Sequence, residues 1–185
     1  MSKPSSGHFS GTSGSNNASK NLSRNNNRNV IITPKGLDLR EHPTKYKQMS
    51  SKKLKILRQK EANRTLTKAE YKHKEWQRRL NIRRKEGIDN FWEREVERIA
   101  NNRPTTRNWS AIQRADILKG KRPKYKGESM QSHHTYSVAK YPHLANLGQL
   151  IYPATRNEHK NRWHGSNFKT SLPGRPMNIN IKEDF

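Results

Sequence analysis

The sequence predicts an α+β fold, in which a basic helical region precedes a small module of two strands and a helix, with a flexible N-terminus. Three observations predict it. Only 29% of the 185 residues are hydrophobic and the mean hydropathy is -1.27, too little apolar surface for one uniformly packed globule. Apolar residues recur at helical spacing between residues 51 and 118. After residue 129 they occur in short runs separated by turn residues, which favours strands.

The first 46 residues are predicted to form a flexible segment. Residues 1–29 are rich in Ser, Gly and Asn, a composition that buries little apolar surface. Val30–Ile32 could add one strand before a turn at Pro34–Gly36. The first residues, MSKPSSGHFSGTSGSNN, lack the apolar run of a secretory signal. We therefore expect the chain to have no signal peptide of its own and to depend on another element for export.

Residues 47–120 are predicted to form a basic helical region. Thr67 and Glu70 have the spacing of a capping box, in which each side chain satisfies the other's free backbone amide. Gly87 is expected to end the helix that they open, and Asp89 to cap the next one. Helices are thus expected over 51–62, from 67 to about 86, from 89 beyond 99, and from a second capping box at 110–113 to 118. Within this region, Arg83-Arg84-Lys85 is either a solvated helix face or a contact for phosphate.

Residues 121–185 are predicted to form the strand-strand-helix module. Short strands are expected near Met130–Val138 and Gln149–Tyr152, with an irregular loop between them. Thr155 and Glu158 have the spacing of a third capping box, which opens a short helix toward Trp163. Gly165 is placed to end that helix.

The net charge indicates a polyanionic partner. Lys and Arg total 39 against 15 Asp and Glu, so the formal net charge is +24. Nucleic acid is the first candidate, because each cation that meets a phosphate releases condensed counterions. An acidic protein is the second. No membrane partner is expected, because no segment has a segregated apolar face and no apolar run approaches the ~20 residues of a membrane span.

Histidine is the residue type that indicates chemistry. There is no cysteine, so a bound metal would need His, Asp, Glu or Asn ligands. Five of the eight histidines fall in one short stretch, at His133, His134, His143, His159 and His164. Neighbours on a strand point to opposite faces, so His133 and His134 are expected to divide two tasks, one as a metal ligand and one as a general base. His159 and His164 could complete the metal site from the following helix.

This set of residues suits phosphodiester hydrolysis. A neutral imidazole can take the proton of the attacking water, and a divalent ion can clamp the phosphate and stabilise the leaving 3′ oxygen. Cations near the histidines in sequence are expected to bind the substrate phosphates. They are Arg156, Lys160, Arg162, Lys169 and Arg175.

The motifs HH, PATRNEH and WHG, within the run SHHTYSVAKYPHLANLGQLIYPATRNEHKNRWHGSNFKTSLPGRP, resemble the His-Me finger (HNH/endonuclease VII) nucleases. More narrowly, residues 105–180 resemble the GHH-type nuclease domains found at the C-termini of bacterial polymorphic toxins of LXG and Rhs type. The resemblance implies a ββα-metal fold with His134 as general base and His133 as metal ligand. It also implies His159 as the ligand on the helix, and His164 as a second ligand from the same region.

The sequence departs from the family pattern in three places. Ser132 stands where the motif has Gly. His159 and His164 are five apart, which places them about 140° apart on a regular helix, so both can bind one ion only if the helix ends or distorts. Asn146 and Asn157 both compete for the role of the family's middle Asn, and Asn157 could replace His164 as a ligand.

The resemblance implies a metal-dependent endonuclease toxin that cuts DNA with one divalent ion, Mg, Mn, Zn or Ni. It further implies delivery into the cytoplasm of a target bacterium and a cognate immunity protein. Two alternatives stay open: an RNase of the same fold, and a non-enzymatic basic protein that binds nucleic acid and holds a structural zinc with four ligands. No base-reading motif separates DNA from RNA.

Overall fold

The computed structural model describes residues 35–185. The expected strand at Val30–Ile32 and most of the expected flexible segment lie outside the described residues. The remainder is a mixture of helices and small antiparallel sheets, which confirms the α+β prediction. No helix within residues 35–185 has the length and apolarity needed to cross a membrane.

Three α-helices begin at side-chain caps. Helix α1 (Ser51–Ala62) starts where the Ser50 hydroxyl accepts from the amide of the third helical residue. Helix α2 (Lys68–Ala100) and helix α3 (Ala111–Leu118) begin at the capping boxes predicted from the sequence. Gly120, with a positive φ of 69°, follows the end of α3.

The prediction that Gly87 ends a helix is wrong, because α2 continues through it for 33 residues in all. Gly87 is needed for close packing. A Cβ at this position would lie 2.3 Å from the Ala145 carbonyl oxygen. On the other side of the same contact, a Cβ on Gly148 would lie 2.6 Å from the Phe91 amide nitrogen. Two glycines therefore let α2 touch the backbone of the 142–150 segment directly.

Two short antiparallel pairs follow the helices. Strands β1 (Lys124–Tyr125) and β2 (Glu128–Ser129) form a hairpin that the sequence analysis does not predict. Strands β3 (Gln131–His134) and β4 (Ile151–Ala154) confirm the two predicted strands. Strand β3 is shorter than predicted, and β4 begins and ends two residues later than predicted. Between them, 3-10 turns cover Pro142–Leu144 and Gly148–Leu150. A π-helical turn, Glu158–Trp163, follows β4.

A buried ion pair ties the end of β4 to the π-helical turn. Arg107 donates to both carboxylate oxygens of Glu158 at 2.5 and 2.8 Å, and neither side chain is exposed. Arg107 also donates to the Pro153 carbonyl. Glu158 accepts from the amide of Thr155, as the third capping box predicts. Burial favours the neutral acid, but the hydrogen bond and charge of Arg107 outweigh it and hold the pKa of Glu158 below its usual value.

We expect Gly87→Ala to lower the free energy of unfolding by about 1–3 kcal/mol, because the added methyl group would overpack the contact with Ala145. Urea denaturation measures the change. At an open helical position the same substitution would stabilise the protein by roughly 1 kcal/mol, so the sign distinguishes the two situations. Glu86→Ala, at the exposed neighbouring position, is the control and should change stability by less than about 0.5 kcal/mol. A Gly87→Ala protein as stable as the wild type would contradict this packing.

Candidate metal centre and catalytic histidine

Strand β3 sends its two histidines to opposite faces, as expected. His133 is 3% exposed and its ring lies 4.6 Å from the Trp163 ring, against the π-helical turn. His134 points the other way, where its Nε2 lies 3.0 Å from the Ala145 carbonyl oxygen. The strand thus separates two chemical environments with adjacent residues.

Three histidines converge on the first face. His133 from β3 meets His159 and His164, and their possible ligand atoms all lie within 4.8 Å of one another. The ring centroids form a nearly equilateral triangle, with separations of 5.0, 4.9 and 4.9 Å. Together these residues are called the histidine triad below. It brings together the three residues that the sequence analysis named as metal ligands.

The π-helical turn explains how residues five apart reach one point. A regular α-helix would separate His159 from His164 by about 140°. In a π-helix the hydrogen bonds run from i to i+5, so residues five apart lie over one another. The helix ends at Trp163, and Gly165 follows with a positive φ of 55°. The five-residue spacing of the two histidines required the helix to end or distort. The structure shows both, because the helical turn is wider than an α-helix and ends at Trp163.

Hydrogen bonds orient the triad for metal binding. The Nδ1 of His159 contacts the Gln131 side-chain oxygen at 2.5 Å, and the Nδ1 of His164 contacts the Thr170 carbonyl at 2.6 Å. Because these oxygens accept, each Nδ1 carries the proton and each Nε2 keeps its lone pair. The Nε2 of His133 is buried and has no hydrogen-bond partner among residues 35–185. Such a set fits a divalent ion, whose histidine ligands usually donate their other nitrogen to an acceptor.

Two histidines of the triad, His133 and His159, are held in the neutral form that ligates metal. Burial, reinforced by the neighbouring imidazoles, holds the pKa of His133 well below its usual value. Burial and then His164 lower the pKa of His159 to about 4. Protonating either ring would place a poorly solvated charge beside the other two.

His134 is also neutral near pH 7. Burial, followed by the positive charge of Arg84, lowers the pKa of His134 to about 4. The hydrogen bond to the Ala145 carbonyl opposes part of this shift. Since the Ala145 carbonyl can only accept, Nε2 carries the proton and Nδ1 keeps a lone pair. This tautomer can take a proton at Nδ1.

The five predicted phosphate contacts separate into two groups. Arg162 is 3% exposed; its guanidinium donates to the Ile181 carbonyl and lies 3.7 Å from Glu183. The prediction that Arg162 binds substrate does not fit this burial, because the side chain is directed into the interior toward Ile181 and Glu183. The other four side chains are exposed, so the prediction that they bind phosphate stays open for Arg156, Lys160, Lys169 and Arg175. Arg156 lies 3.7 Å from a carboxylate oxygen of Glu128, a distance typical of a weak ion pair.

Both asparagines named in the sequence analysis have other side-chain partners. The side-chain oxygen of Asn157 accepts from Asn161 at 2.7 Å, and that of Asn146 accepts from Arg83 at 2.9 Å. His164 lies in the group of three histidines, which favours it over Asn157 as the ligand. Sequence spacing alone gives no preference, because the position of His164 depends on the pitch of the turn.

A second group contains the remaining histidine of the stretch. Asp38, His42 and His143 also have possible ligand atoms within 4.8 Å of one another. Both oxygens of Asp38 already accept from Arg40, and the His143 Nε2 lies 2.8 Å from the Asp38 carbonyl. These contacts join the segment before α1 to the 142–150 segment.

Comparison with known proteins gives one match. Residues 74–155 match the family model described as "GHH signature containing HNH/Endo VII superfamily nuclease toxin", which confirms the resemblance over that segment. No curated protein and no solved structure matches the chain. The matched segment contains His133 and His134 and begins inside α2, but it ends before His159. The contribution of the π-helical turn therefore rests on the geometry above.

We expect His164→Ala to weaken zinc binding by at least about tenfold, because it removes one of three imidazole ligands. Substitution of a residue that only hydrogen-bonds to a ligand already lowers metal affinity by about 10–100-fold. Isothermal titration calorimetry on the full chain measures the affinity. Asn157→Ala is the matched control and should leave the affinity unchanged. If Asn157→Ala weakened binding and His164→Ala did not, the assignment would be reversed.

Proposed function

Because residues 74–155 match the GHH-signature nuclease toxins, we propose that the protein is a metal-dependent endonuclease that hydrolyses phosphodiester bonds of DNA. His134 is the general base, and one divalent ion is held by His133, His159 and His164. The observation that carries the proposal is the division of β3 into a face with three converging imidazoles and a face with one isolated, neutral imidazole.

His134 activates the nucleophile in this mechanism. Its Nδ1 accepts a proton from water as the water oxygen bonds to phosphorus, and the bond to the 3′ oxygen breaks. The hydrogen bond to Ala145 keeps the ring in the required tautomer and orientation. Because burial keeps the pKa of His134 at about 4, the base is unprotonated at neutral pH before substrate binds.

The triad residues supply the electrophilic part of the site. A bound divalent ion stabilises negative charge on the phosphate and on the leaving oxygen. Three imidazoles favour zinc or nickel by ligand softness. The ion that is bound also depends on which metals are available, so magnesium and manganese are tested as well. Among the His, Cys, Asp and Glu side chains of residues 35–185, three belong to the triad group and no fourth joins them. Three protein ligands support a catalytic site over the alternative of a closed structural zinc site.

The charge of the protein supports nucleic acid as the substrate. The chain has a net charge of +24, and Arg156, Lys160, Lys169 and Arg175 are exposed near or beyond the π-helical turn. Such cations bind phosphates without reading bases. DNA is the proposed substrate, and an RNase of the same mechanism is the outcome that the assay below distinguishes.

The description of the matching family as a toxin supports a role in a target cell. We place the action in the cytoplasm of a target bacterium. A cognate immunity protein with an acidic surface would bind this strongly basic chain rapidly, because opposite charges steer association.

We expect His134→Ala to lower the cleavage rate of plasmid DNA by about 10²–10⁴-fold, the usual contribution of a general base. Wild-type protein is assayed with plasmid and with total RNA, each with Mg²⁺, Mn²⁺, Zn²⁺, Ni²⁺ or EDTA. His73→Ala, which changes a histidine of α2 outside both histidine groups, should retain full activity.

Undiminished cleavage by His134→Ala would reject the proposed base. Cleavage of RNA and not of plasmid would reassign the substrate. Unfolding in EDTA without any nuclease activity in metal would favour the structural-zinc alternative.

A further inference from the structure

Arg84 is a half-buried cation without a counterion. In the part of the chain that the structure describes, its side chain makes no hydrogen bond or ion pair. Its neighbours on both sides are paired: Arg83 donates to the His143 carbonyl at 2.7 Å, and Lys85 pairs with Asp89. Burial lowers the pKa of Arg84, with no carboxylate opposing the shift.

Helix geometry places Arg84 on the face of α2 that contacts the segment around His134. At 3.6 residues per turn, Arg84, Gly87 and Phe91 lie within about 60° of one another around the helix axis. Gly87 abuts the Ala145 carbonyl, which is the group that accepts from His134. Arg84 lies one helical turn before that contact. Its charge is close enough to lower the pKa of His134.

The absence of a partner distinguishes Arg84 from the more deeply buried cations of the protein. Arg107 is paired with Glu158, and Arg162 lies near Glu183. Removing a cation from water is unfavourable unless an anion or acceptor compensates. Within residues 35–185 no anion or acceptor compensates Arg84, so a bound anion would become its counterion.

We propose that Arg84 binds an oxygen of the scissile phosphate beside His134, as a substrate-binding cation contributed by α2. The guanidinium would donate to a non-bridging oxygen and neutralise charge that increases as water attacks. This inference rests on the proposed function and adds a residue to it. It also resolves, for Arg84, the choice between a solvated helix face and a phosphate contact.

Cleavage kinetics test the inference first. We expect Arg84→Ala to lower kcat for plasmid cleavage by roughly 100-fold, as for loss of one transition-state donor, with a smaller change in KM. Arg84→Lys keeps the charge but not the planar fork and should recover part of the loss. Arg103→Ala is the control, because it removes the same charge from an exposed position beyond the far end of α2. That end, Ala100, lies about 24 Å from Arg84 along the helix axis at 1.5 Å per residue.

Binding measured without cleavage separates this inference from the proposed function. In a His134→Ala background with EDTA, anisotropy of a labelled 20-base-pair DNA duplex is followed across salt concentrations. Adding Arg84→Ala should reduce the slope of log affinity against log salt by about 0.9, the value for one phosphate contact, while adding Arg103→Ala should not. Circular dichroism confirms that each variant is folded.

The outcomes differ for the two proposals. If the wild type cleaves nothing but the slope falls only with Arg84→Ala, the phosphate contact stands and the nuclease proposal fails. If Arg84→Ala matches Arg103→Ala in both kcat and slope, the proposed contact of Arg84 is overturned, whatever the wild-type activity.

Discussion

The buried ion pair between Arg107 and Glu158 is the interaction on which the metal site depends most. Glu158 begins the π-helical turn, and its carboxylate accepts from Arg107, from the Thr155 amide and from the Asp184 amide. His159 is the next residue. Removing one partner would leave an uncompensated buried charge, at a cost of about 3–5 kcal/mol. The pair therefore fixes where the turn starts, and the turn fixes where two of the three imidazoles point.

A second constraint acts on the other face of β3. The glycines at 87 and 148 bring α2 against the backbone of the 142–150 segment, and this contact holds the Ala145 carbonyl beside His134. The same helix carries Arg84 to that face. The ion pair thus positions the metal side and the glycine contact positions the base side, with the four residues of β3 between them. The proposed division between metal binding and proton transfer would follow from two independent packing contacts on one short strand.

Local patterns in the sequence were sufficient for part of this structure. Capping-box spacing predicted where α2 and α3 begin, and strand alternation predicted that His133 and His134 would face apart. The remainder depends on partners distant in sequence. Glycine ends helices in many contexts. Only the contact of Gly87 with Ala145, 58 positions later, explains why α2 continues. The burial of Arg162 depends on its contacts with the Ile181 carbonyl and Glu183, about 20 positions later, which local spacing does not reveal.

The number of histidine ligands is the most direct test of the central claim, that β3 and the π-helical turn together form an open metal site. X-ray absorption spectroscopy of the zinc-loaded full chain measures it. The account predicts three imidazole nitrogens at about 2.0–2.1 Å and a remaining position filled by solvent oxygen, with one imidazole lost in His164→Ala. Four protein ligands, or an unchanged first shell in His164→Ala, would contradict it.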